Sequence, residues 1–503
     1  MAHAKIEAPS PEIHQADWAR SVRRVRPPVT LEEYLQSWET FFDHYAAIVL
    51  QWRERNAGYH STIASLARFY IPPGARVLEI GSGTGDLLAS TRPARGLGID
   101  ISGDMVRLAA TRHPHLEFRH MAAEQLDLDG ETFDYVVLSD LVGLLYDIRL
   151  VFERLRSVCH PQTRIVIHWY NRAWEPVLSL AEKLGAKYPQ PLLNWTTFED
   201  IANLLYLADC EIVRRDRHTL LPTRVPLASA FANRFLAHVP LMRHVCLSNW
   251  VVARPLGLSR PSVPPSVSIV CPCRNEAGNI QRIVDRLPSF AGASELIFVE
   301  GHSSDDTLAE CRRVAAETAG RNIRVFVQQG RGKGDAVRLG FAQATGDILM
   351  ILDADVSVAP EDLPMFYRAL VEGKGEFING SRLVYAMDAE AMRFLNLLGN
   401  RFFAFLLSVL IGQPIKDSLC GTKVLWRTKY EELARGRAYF GGLDPFGDFD
   451  LLFGAAKLNL RIVEVPIRYR QRTYGSTNIS RFSDGWLLLR MCGLAARKLF
   501  FVS

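Results

Sequence analysis

The sequence predicts α/β architecture in two domains, and three observations carry that reading. Strand-like apolar runs alternate with helical patterns from about residue 71 to 215. The alternation breaks at a proline-rich stretch, "ARPLGLSRPSVPPS", residues 253–266. It restarts at residue 267 with a second set of apolar runs. Such alternation implies parallel sheets with helices on both faces. The chain has 503 residues, more than one ordinary domain needs, and its 48% hydrophobic content can fill sizeable cores.

In chain order, residues 1–70 are read as an N-terminal helical segment, in which Tyr34, Trp38, Phe41 and Phe42 recur at mixed three- and four-residue spacings. Residues 71–252 are the first α/β domain, with strands at "RVLEI", "GLGID", "YVVLSD" and "RIVIHWY". Its later part, 171–250, is expected to finish the sheet and add a cap. Residues 253–266 are the linker. Residues 267–503 are the second domain, opening with "SVSIVCPC", "ELIFVEG", "IRVFVQQ" and "DILMILDAD". No repeat relates the two halves.

Composition excludes several classes. The net charge of +5 is small for this length and no zinc-finger or RNA-binding motif occurs, so nucleic acid is not an expected partner. The eight cysteines are scattered without a CxxC pair and are read as reduced thiols of a cytoplasmic protein. The N-terminal stretch has no apolar run of signal-peptide length. The longest apolar run, "FFAFLLSVLIGQPI", has 14 uncharged residues, short of the roughly 20 that span a bilayer. It is expected to be a core helix or a segment lying in a membrane interface.

"RVLEIGSGTGDLLAS" is a strand, then Gly81, Gly83 and Gly85, then a helix start. Glycines let a ligand approach the backbone, and the helix offers free N–H groups. The next strand ends in Asp100, an acceptor for ribose hydroxyls. A dinucleotide would favour GxGxxG; here the order is Glu79-x-Gly81-x-Gly83-x-Gly85. A glycine turn that binds nothing is the plain alternative. The pattern resembles the first motif of class I S-adenosylmethionine-dependent methyltransferases, and the resemblance runs over 76–170 through "GIDISGDMVRLA", "HMAAEQLDL" and "FDYVVLSDLVGLLYD". It implies that Glu79 and the three glycines cradle the methionine part and that Asp100 binds the ribose. Ala123 and Glu124 would border the adenine, and Asp140 would face the methyl acceptor. Methyl transfer needs mainly alignment, so His160 and His168, near strand ends, are read as structural.

In the second domain, Asp353 and Asp355 stand at i and i+2 after a strand and offer two carboxylates to one point. Hard oxygen ligands suit Mg²⁺ or Mn²⁺, which also binds diphosphate oxygens and relieves the repulsion between the acids. Around them stand "SVSIVCPCRNEAGNI", "LIFVEGHSSDDT", "GRGKGDAVRLGFAQATGD" and "FINGSRL". In this order the segments resemble family 2 glycosyltransferases of the GT-A fold, from about 267 to 475. They look closest to polyprenyl-phosphate sugar synthases such as the dolichyl-phosphate mannose and glucose synthases. Two Rossmann-like domains are thus implied, a class I methyltransferase fold followed by a GT-A fold. The resemblance implies a nucleotide-sugar pocket shaped by Pro272, Asn275 and Glu276. Glu300 stands where many relatives carry Asp. Lys333 would meet phosphate or ribose, Asp353 would lie near the nucleotide, and Asp355, with Asp353, would hold the metal. Arg382 would offset diphosphate charge.

The acceptor decides what else is needed. A hydroxyl needs a general base, whereas a lipid phosphate is already ionised and needs positive charge. "IKDSLCGTKVLW" supplies Asp417 and Lys423 in the style of the lipid-phosphate enzymes, and "FGDFDLLF" supplies Asp448 and Asp450 where relatives carry acids. The QxxRW pattern of processive synthases is absent. "RYRQRTYGSTNISRF" looks like the basic loop that closes over lipid phosphate, with Arg470 and Arg472; a solvated basic face is the alternative. Beyond it "GWLLLRMCGLAARKLFFV" could rest on an anionic membrane or be a core helix. The expectation is a bifunctional enzyme, cytoplasmic or peripheral on the inner membrane face. It would move a sugar from a nucleoside-diphosphate sugar to a polyprenyl phosphate and transfer methyl from S-adenosylmethionine. The alternative is a hydroxyl acceptor on a glycan or small molecule, with Asp417, Asp448 or Asp450 as base, and a scaffolding first domain.

Overall fold

A computed structural model describes residues 30–190, 193–222, 227–258, 261–384, 394–440, 447–468, 474 and 481–501. The chain divides into two units between Pro255 and Leu256. Arg470 and Arg472 lie outside the described residues.

The first unit holds a seven-stranded sheet ordered β3-β2-β1-β4-β5-β7-β6. The strands are β1 Arg76–Ile80, β2 Arg95–Asp100, β3 Glu117–His120, β4 Phe133–Ser139, β5 Cys159–Tyr170, β6 Cys210–His218 and β7 Ser248–Pro255. β1 to β5 are mutually parallel, as the alternation predicts. β7 runs antiparallel to both β5 and β6, so the sheet is mixed rather than wholly parallel. β7 is buried along its whole length and occupies 253–255. Those three residues, expected in the linker, therefore belong to a sheet; Pro255 is tolerated because it closes the strand.

Three helices, Leu31–Ala46, Val49–Arg55 and Ala57–Tyr70, precede β1. Thr30 caps the first, accepting from Glu33 N. Asp43 ties this helix to the loop after β2, accepting from Ser102 Oγ at 2.6 Å and Asp104 N at 3.2 Å. Tyr34 OH donates to Leu144 O at 2.9 Å. The helices thus pack on the crest of the sheet, where β1 and β4 end.

The second unit has its own seven-stranded sheet, ordered β10-β9-β8-β11-β13-β12-β14. These are β8 Val267–Cys273, β9 Ser294–Glu300, β10 Asn322–Val327, β11 Ile348–Ile351, β12 Phe377–Ser381, β13 Lys423–Trp426 and β14 Ile462–Pro466. β10, β9, β8 and β11 are parallel, and β13 is antiparallel to β11 and β12. The core is built on fully buried side chains such as Ile269, Phe298, Met350 and Phe366. All eight cysteines are buried free thiols. The long apolar run lies in the helix Phe394–Ile411, which buries Ala404, Leu407 and Leu410 and exposes Phe402 and Phe405. It is a core helix on one face only. No described helix is long and apolar enough to cross a membrane.

Candidate functional site

In the first unit, β1 ends in Glu79 and Ile80, and the chain turns through Gly81, Gly83 and Gly85, all at positive φ. The turn requires glycine. A Cβ at 85 would fall 2.6 Å from Phe118, while Gly83 faces open space. Gly83 N donates to Asp100 Oδ2 at 2.8 Å, and Ser102 N donates to Asp100 Oδ1 at 3.0 Å. Glu79 accepts from Leu88 N at 2.9 Å, bracing the helix after the loop. Burial pushes the Glu79 carboxyl up to about 8. Burial likewise raises Asp100 and Glu124.

Glu79, Gly81, Gly83 and Asp100 line one cavity of about 270 Å³ with Ala123, Glu124 and Asp140, whereas Gly85 lies outside its lining. The sheet and the three N-terminal helices enclose it together. Tyr34, Trp38, Phe42, Tyr45, Val49, Arg53 and His60 form the helical wall. From sequence, residues 1–70 are a helical segment with no assigned site role. The signal was the aromatic stripe at Tyr34, Trp38 and Phe42, which marks a helix whether it faces core or ligand.

Five carboxylates line the cavity: Glu79, Asp86, Asp100, Glu124 and Asp140. Burial, with Arg53 beside it, pulls the His60 imidazole down to about 4, so this ring is neutral. Arg53 is therefore the one permanent cation among the described lining residues. Its Nε lies 3.0 Å from Asp86 Oδ2. Asp86 is also held by Arg112 Nη2 at 2.9 Å and His113 Nε2 at 2.8 Å. Burial alone would raise Asp86, but these partners outweigh it and bring its pKa to about 2.

Asp140 sits just past β4 at φ +55°. Tyr59 OH donates to both its oxygens, at 3.1 and 3.0 Å, and His168 Nδ1 lies 3.3 Å away. His168 is fully buried in β5, and burial lowers its pKa. The structure thus places His168 behind a cavity carboxylate, and it places His160 beside Asp134 at 3.1 Å, away from the cavity lining. The residues fit S-adenosylmethionine: a glycine turn open at Gly83, an acid at the end of β2, and a cation for a carboxylate.

In the second unit, the C-terminal ends of β9, β8 and β11 stand side by side, with Cys273 paired to Glu300 and Ile351 to Val270. This crest is where parallel sheets bind ligands. Half-buried Pro272 lies on it. Asn275, at φ +58°, accepts from Ser304 N at 2.8 Å. Glu276 accepts from Asn279 Nδ2 at 2.7 Å. Glu300 Oε1 accepts from Ser303 N at 2.5 Å, so the longer acid caps its polar loop.

Lys333 opens the helix Lys333–Gln343, and its Nζ lies 2.6 Å from Asp353 Oδ1 and 3.9 Å from Asp448 Oδ2. Burial pulls the ammonium down, but Asp353 and Asp448 outweigh it and raise its pKa. Asp353 is likewise held below the carboxylate range by Lys333 despite its burial. The positive charge beside the paired acids is thus this ammonium. Asp355 Oδ1 accepts from Ser357 N at 3.0 Å and Ser357 Oγ at 2.7 Å. A Cβ on Gly421 would overlap the Asp353 carboxylate and the Lys333 ammonium. The helix Asp448–Lys457 begins beside the first, since a Cβ on Gly447 would lie 2.6 Å from Gly334 Cα. Two helix N-termini therefore converge on the acids, a setting suited to phosphate. Lys423, fully buried, puts Nζ 3.3 Å from Asp448 Oδ1 and 2.5 Å from Cys420 O.

Asp417 lies between the helix Phe394–Ile411 and β13. It is fully buried, and Arg382 grips it through N at 3.0 Å, Nε at 2.7 Å and Nη2 at 2.8 Å. Asn400 Nδ2 adds a bond at 2.9 Å. Arg382 and its charge are thereby fixed by Asp417, which is engaged on both oxygens. Asp450 pairs with Arg437 Nε at 2.6 Å. Among the described residues no group of three His, Cys, Asp or Glu is placed to hold a metal. Asp353 and Asp355 are the two hard-oxygen side chains on this crest that would hold a divalent ion.

Comparison with known proteins agrees with both descriptions. Residues 51–215 match the model of a methyltransferase domain, and residues 268–434 match glycosyl transferase family 2. The chain joins a methyltransferase domain to a family 2 glycosyl transferase domain. Both are transferase families, and each match falls within one of the two units. A low-salt glycan biosynthesis hexosyltransferase of Haloferax volcanii is 27% identical over 45% of this chain and 53% of its own length. The chain thus spans about half of that relative. A dolichyl-phosphate hexose transferase of the same organism is 29% identical over 41% of this chain and 82% of its own. For the first unit, an S-adenosylmethionine-dependent methyltransferase from Mesorhizobium loti is 18% identical, covering 38% of this chain and 95% of its own, with a TM-score of 0.30.

Proposed function

We propose that the chain is a bifunctional transferase. Its second unit moves a sugar from a nucleoside-diphosphate sugar to a polyprenyl phosphate. Its first unit transfers methyl from S-adenosylmethionine to an acceptor still to be identified. The observation that carries the lipid-phosphate reading is the engagement of the three candidate bases. Asp417 is gripped by Arg382, Asp450 by Arg437, and Asp448 lies between Lys423 and Lys333. Carboxylates engaged this way are poor proton acceptors, which favours an acceptor that arrives ionised. The similarity to dolichyl-phosphate sugar transferases supports the same choice.

In this reading a phosphate oxygen of the lipid attacks the anomeric carbon from the face opposite the nucleotide. The bond from that carbon to the diphosphate breaks, and the nucleoside diphosphate leaves with the electron pair. Lys333 and the two helix N-termini receive the diphosphate charge. Mg²⁺ or Mn²⁺ on Asp355 and Asp353 would supply Lewis-acid stabilisation of the leaving group. Asp417 positions Arg382 toward the phosphates. Arg470 and Arg472 serve the lipid phosphate, and the exposed Phe402–Phe405 face of the helix Phe394–Ile411 contacts the membrane.

In the first unit, Gly81, Gly83 and Gly85 with Glu79 shape the cofactor bed, Asp100 takes the ribose, and Ala123 and Glu124 border the adenine. Arg53 takes the methionine carboxylate. S-adenosylmethionine bound there would supply an electrophilic methyl group. Asp140, held by Tyr59 and His168, faces and orients the acceptor.

The test of the sugar-transfer reading is product extraction. Radiolabel from a nucleoside-diphosphate sugar, incubated with Mn²⁺ and a short polyprenyl phosphate, enters organic solvent and is released by mild acid. Label confined to water-soluble glycan would instead support the hydroxyl acceptor. The first unit is tested by calorimetry with S-adenosylmethionine; absence of binding would leave it a scaffold.

A further inference from the structure

The connection between β6 and β7 carries a surface that neither site uses. It contains the helices Ala228–Arg234 and Pro240–Arg243. Water-soluble helices turn large apolar side chains inward. Here the order is reversed. Ala232, Ala237 and Cys246 are buried, while Leu227 is 88% exposed, Leu241 74% and Phe231 57%. Phe235, Val239 and Val245 are exposed beside them. The Phe231 and Phe235 rings lie 5.5 Å apart, and exposed apolar groups concentrated in this way mark an interaction surface.

Polar ties hold the described parts of this connection. Asn233 clamps Leu221, accepting from its N at 2.8 Å and donating to its O at 2.9 Å. Asn171 Nδ2 donates to His244 O at 2.9 Å, and Trp174 Nε1 donates to Val245 O at 2.7 Å. The apolar side chains are thus displayed on a fixed frame.

Charge selects the partner. No Asp or Glu occurs between Asp216 and Glu276. Arg234 is exposed in the first of these helices and Arg215 is exposed on β6, where its O accepts from Arg243 Nη2 at 3.0 Å; half-buried Arg243 also lies 3.5 Å from Asp216, and half-buried Arg217 lies 2.6 Å from His244. A two-fold contact between copies would set these arginines against themselves. An anionic lipid surface satisfies both features, accepting the apolar groups at the acyl boundary and the guanidinium groups at its phosphates.

We propose that the β6–β7 hairpin docks the first unit on an anionic lipid surface. This is independent of both transfer readings and would stand if either failed. The test uses the full chain with Leu241→Cys carrying an environment-sensitive fluorophore, which labels selectively because the native cysteines are buried. Vesicles of equal parts phosphatidylglycerol and phosphatidylcholine shift the emission to the blue and raise it, while phosphatidylcholine alone does so far less. Phe231→Ser with Leu227→Ser lowers vesicle partitioning by about tenfold or more, without changing S-adenosylhomocysteine affinity. Failure of the anionic vesicles to carry the protein down, or unchanged emission on vesicles that do, would overturn the proposal. So would a response to protein concentration without lipid, which would mark a contact between copies. The labelled protein gives this readout even if the serine variants fail to fold.

Discussion

Truncating Arg53 to alanine separates a cofactor ligand from a structural ion pair. Arg53 comes from the helix Val49–Arg55 and reaches Asp86 at 3.0 Å inside the cavity. Removing it does not orphan Asp86, which keeps Arg112 at 2.9 Å and His113 at 2.8 Å. The loss falls mainly on the ligand. A hydrogen bond to a charged group contributes about 1.5–3 kcal/mol. The Arg53 side chain is 26% exposed, so solvent screening favours the lower part of that range. The expected effect is about ten- to thirtyfold weaker binding of S-adenosylhomocysteine. 5′-Methylthioadenosine shares the adenosine and thioether but lacks the amino-acid end, and its affinity should stay within about twofold. Titration calorimetry of both ligands on both proteins gives the four affinities. Equal losses for the two ligands would show that Arg53 only shapes the cavity, and no loss for either would remove it from the site. If wild-type protein binds neither, the methyl-transfer reading itself fails.

Three further outcomes follow from the same geometry. Asp417→Ala leaves the Arg382 guanidinium without its buried partner and should cost about 3–5 kcal/mol in chemical denaturation of the second unit; a variant of wild-type stability with abolished transfer would instead restore Asp417 as a base. Gly421→Ala pushes a methyl group into the Lys333–Asp353 pair, so UDP and GDP affinity should fall with the fold retained, and wild-type affinity would contradict the placement of the diphosphate. Glu79 sets a pH dependence: its carboxyl is raised from 4.5 to about 8 in the fold, so the folded state binds this proton more tightly than the unfolded chain. That contribution is fully present below about 4.5 and is lost as pH rises through about 8. Thermal melts of ligand-free protein should therefore decline across that window, and Glu79→Gln should flatten the decline; an identical slope in both proteins would refute it.

Much of this was legible in the sequence where local pattern and position coincide. Glu79, Asp100 and Glu300 lie at the ends of their strands and Asp353 two residues past β11, so the position of each strand's end brings its acid to the crest. β6 and β7 were harder to read, because an antiparallel pair joined through a 219–247 connection leaves no tight-turn signal. Arg53 was illegible because its role arises only when the N-terminal helices fold over the crest, a contact made far apart in sequence. The Arg382–Asp417 pair escaped for the same reason: spacing can nominate both groups but cannot show that they neutralise each other.

The central claim is that a nucleoside diphosphate sits where Lys333, Asp353, Asp355 and the two helix N-termini meet. Calorimetric titration of UDP and GDP, with and without Mn²⁺, on wild type and Asp355→Ala tests it most directly. One nucleotide should bind wild type in a Mn²⁺-dependent way and lose most of that dependence in the variant. Failure of both nucleotides to bind wild type with Mn²⁺ present, or equal binding to the variant, would contradict it.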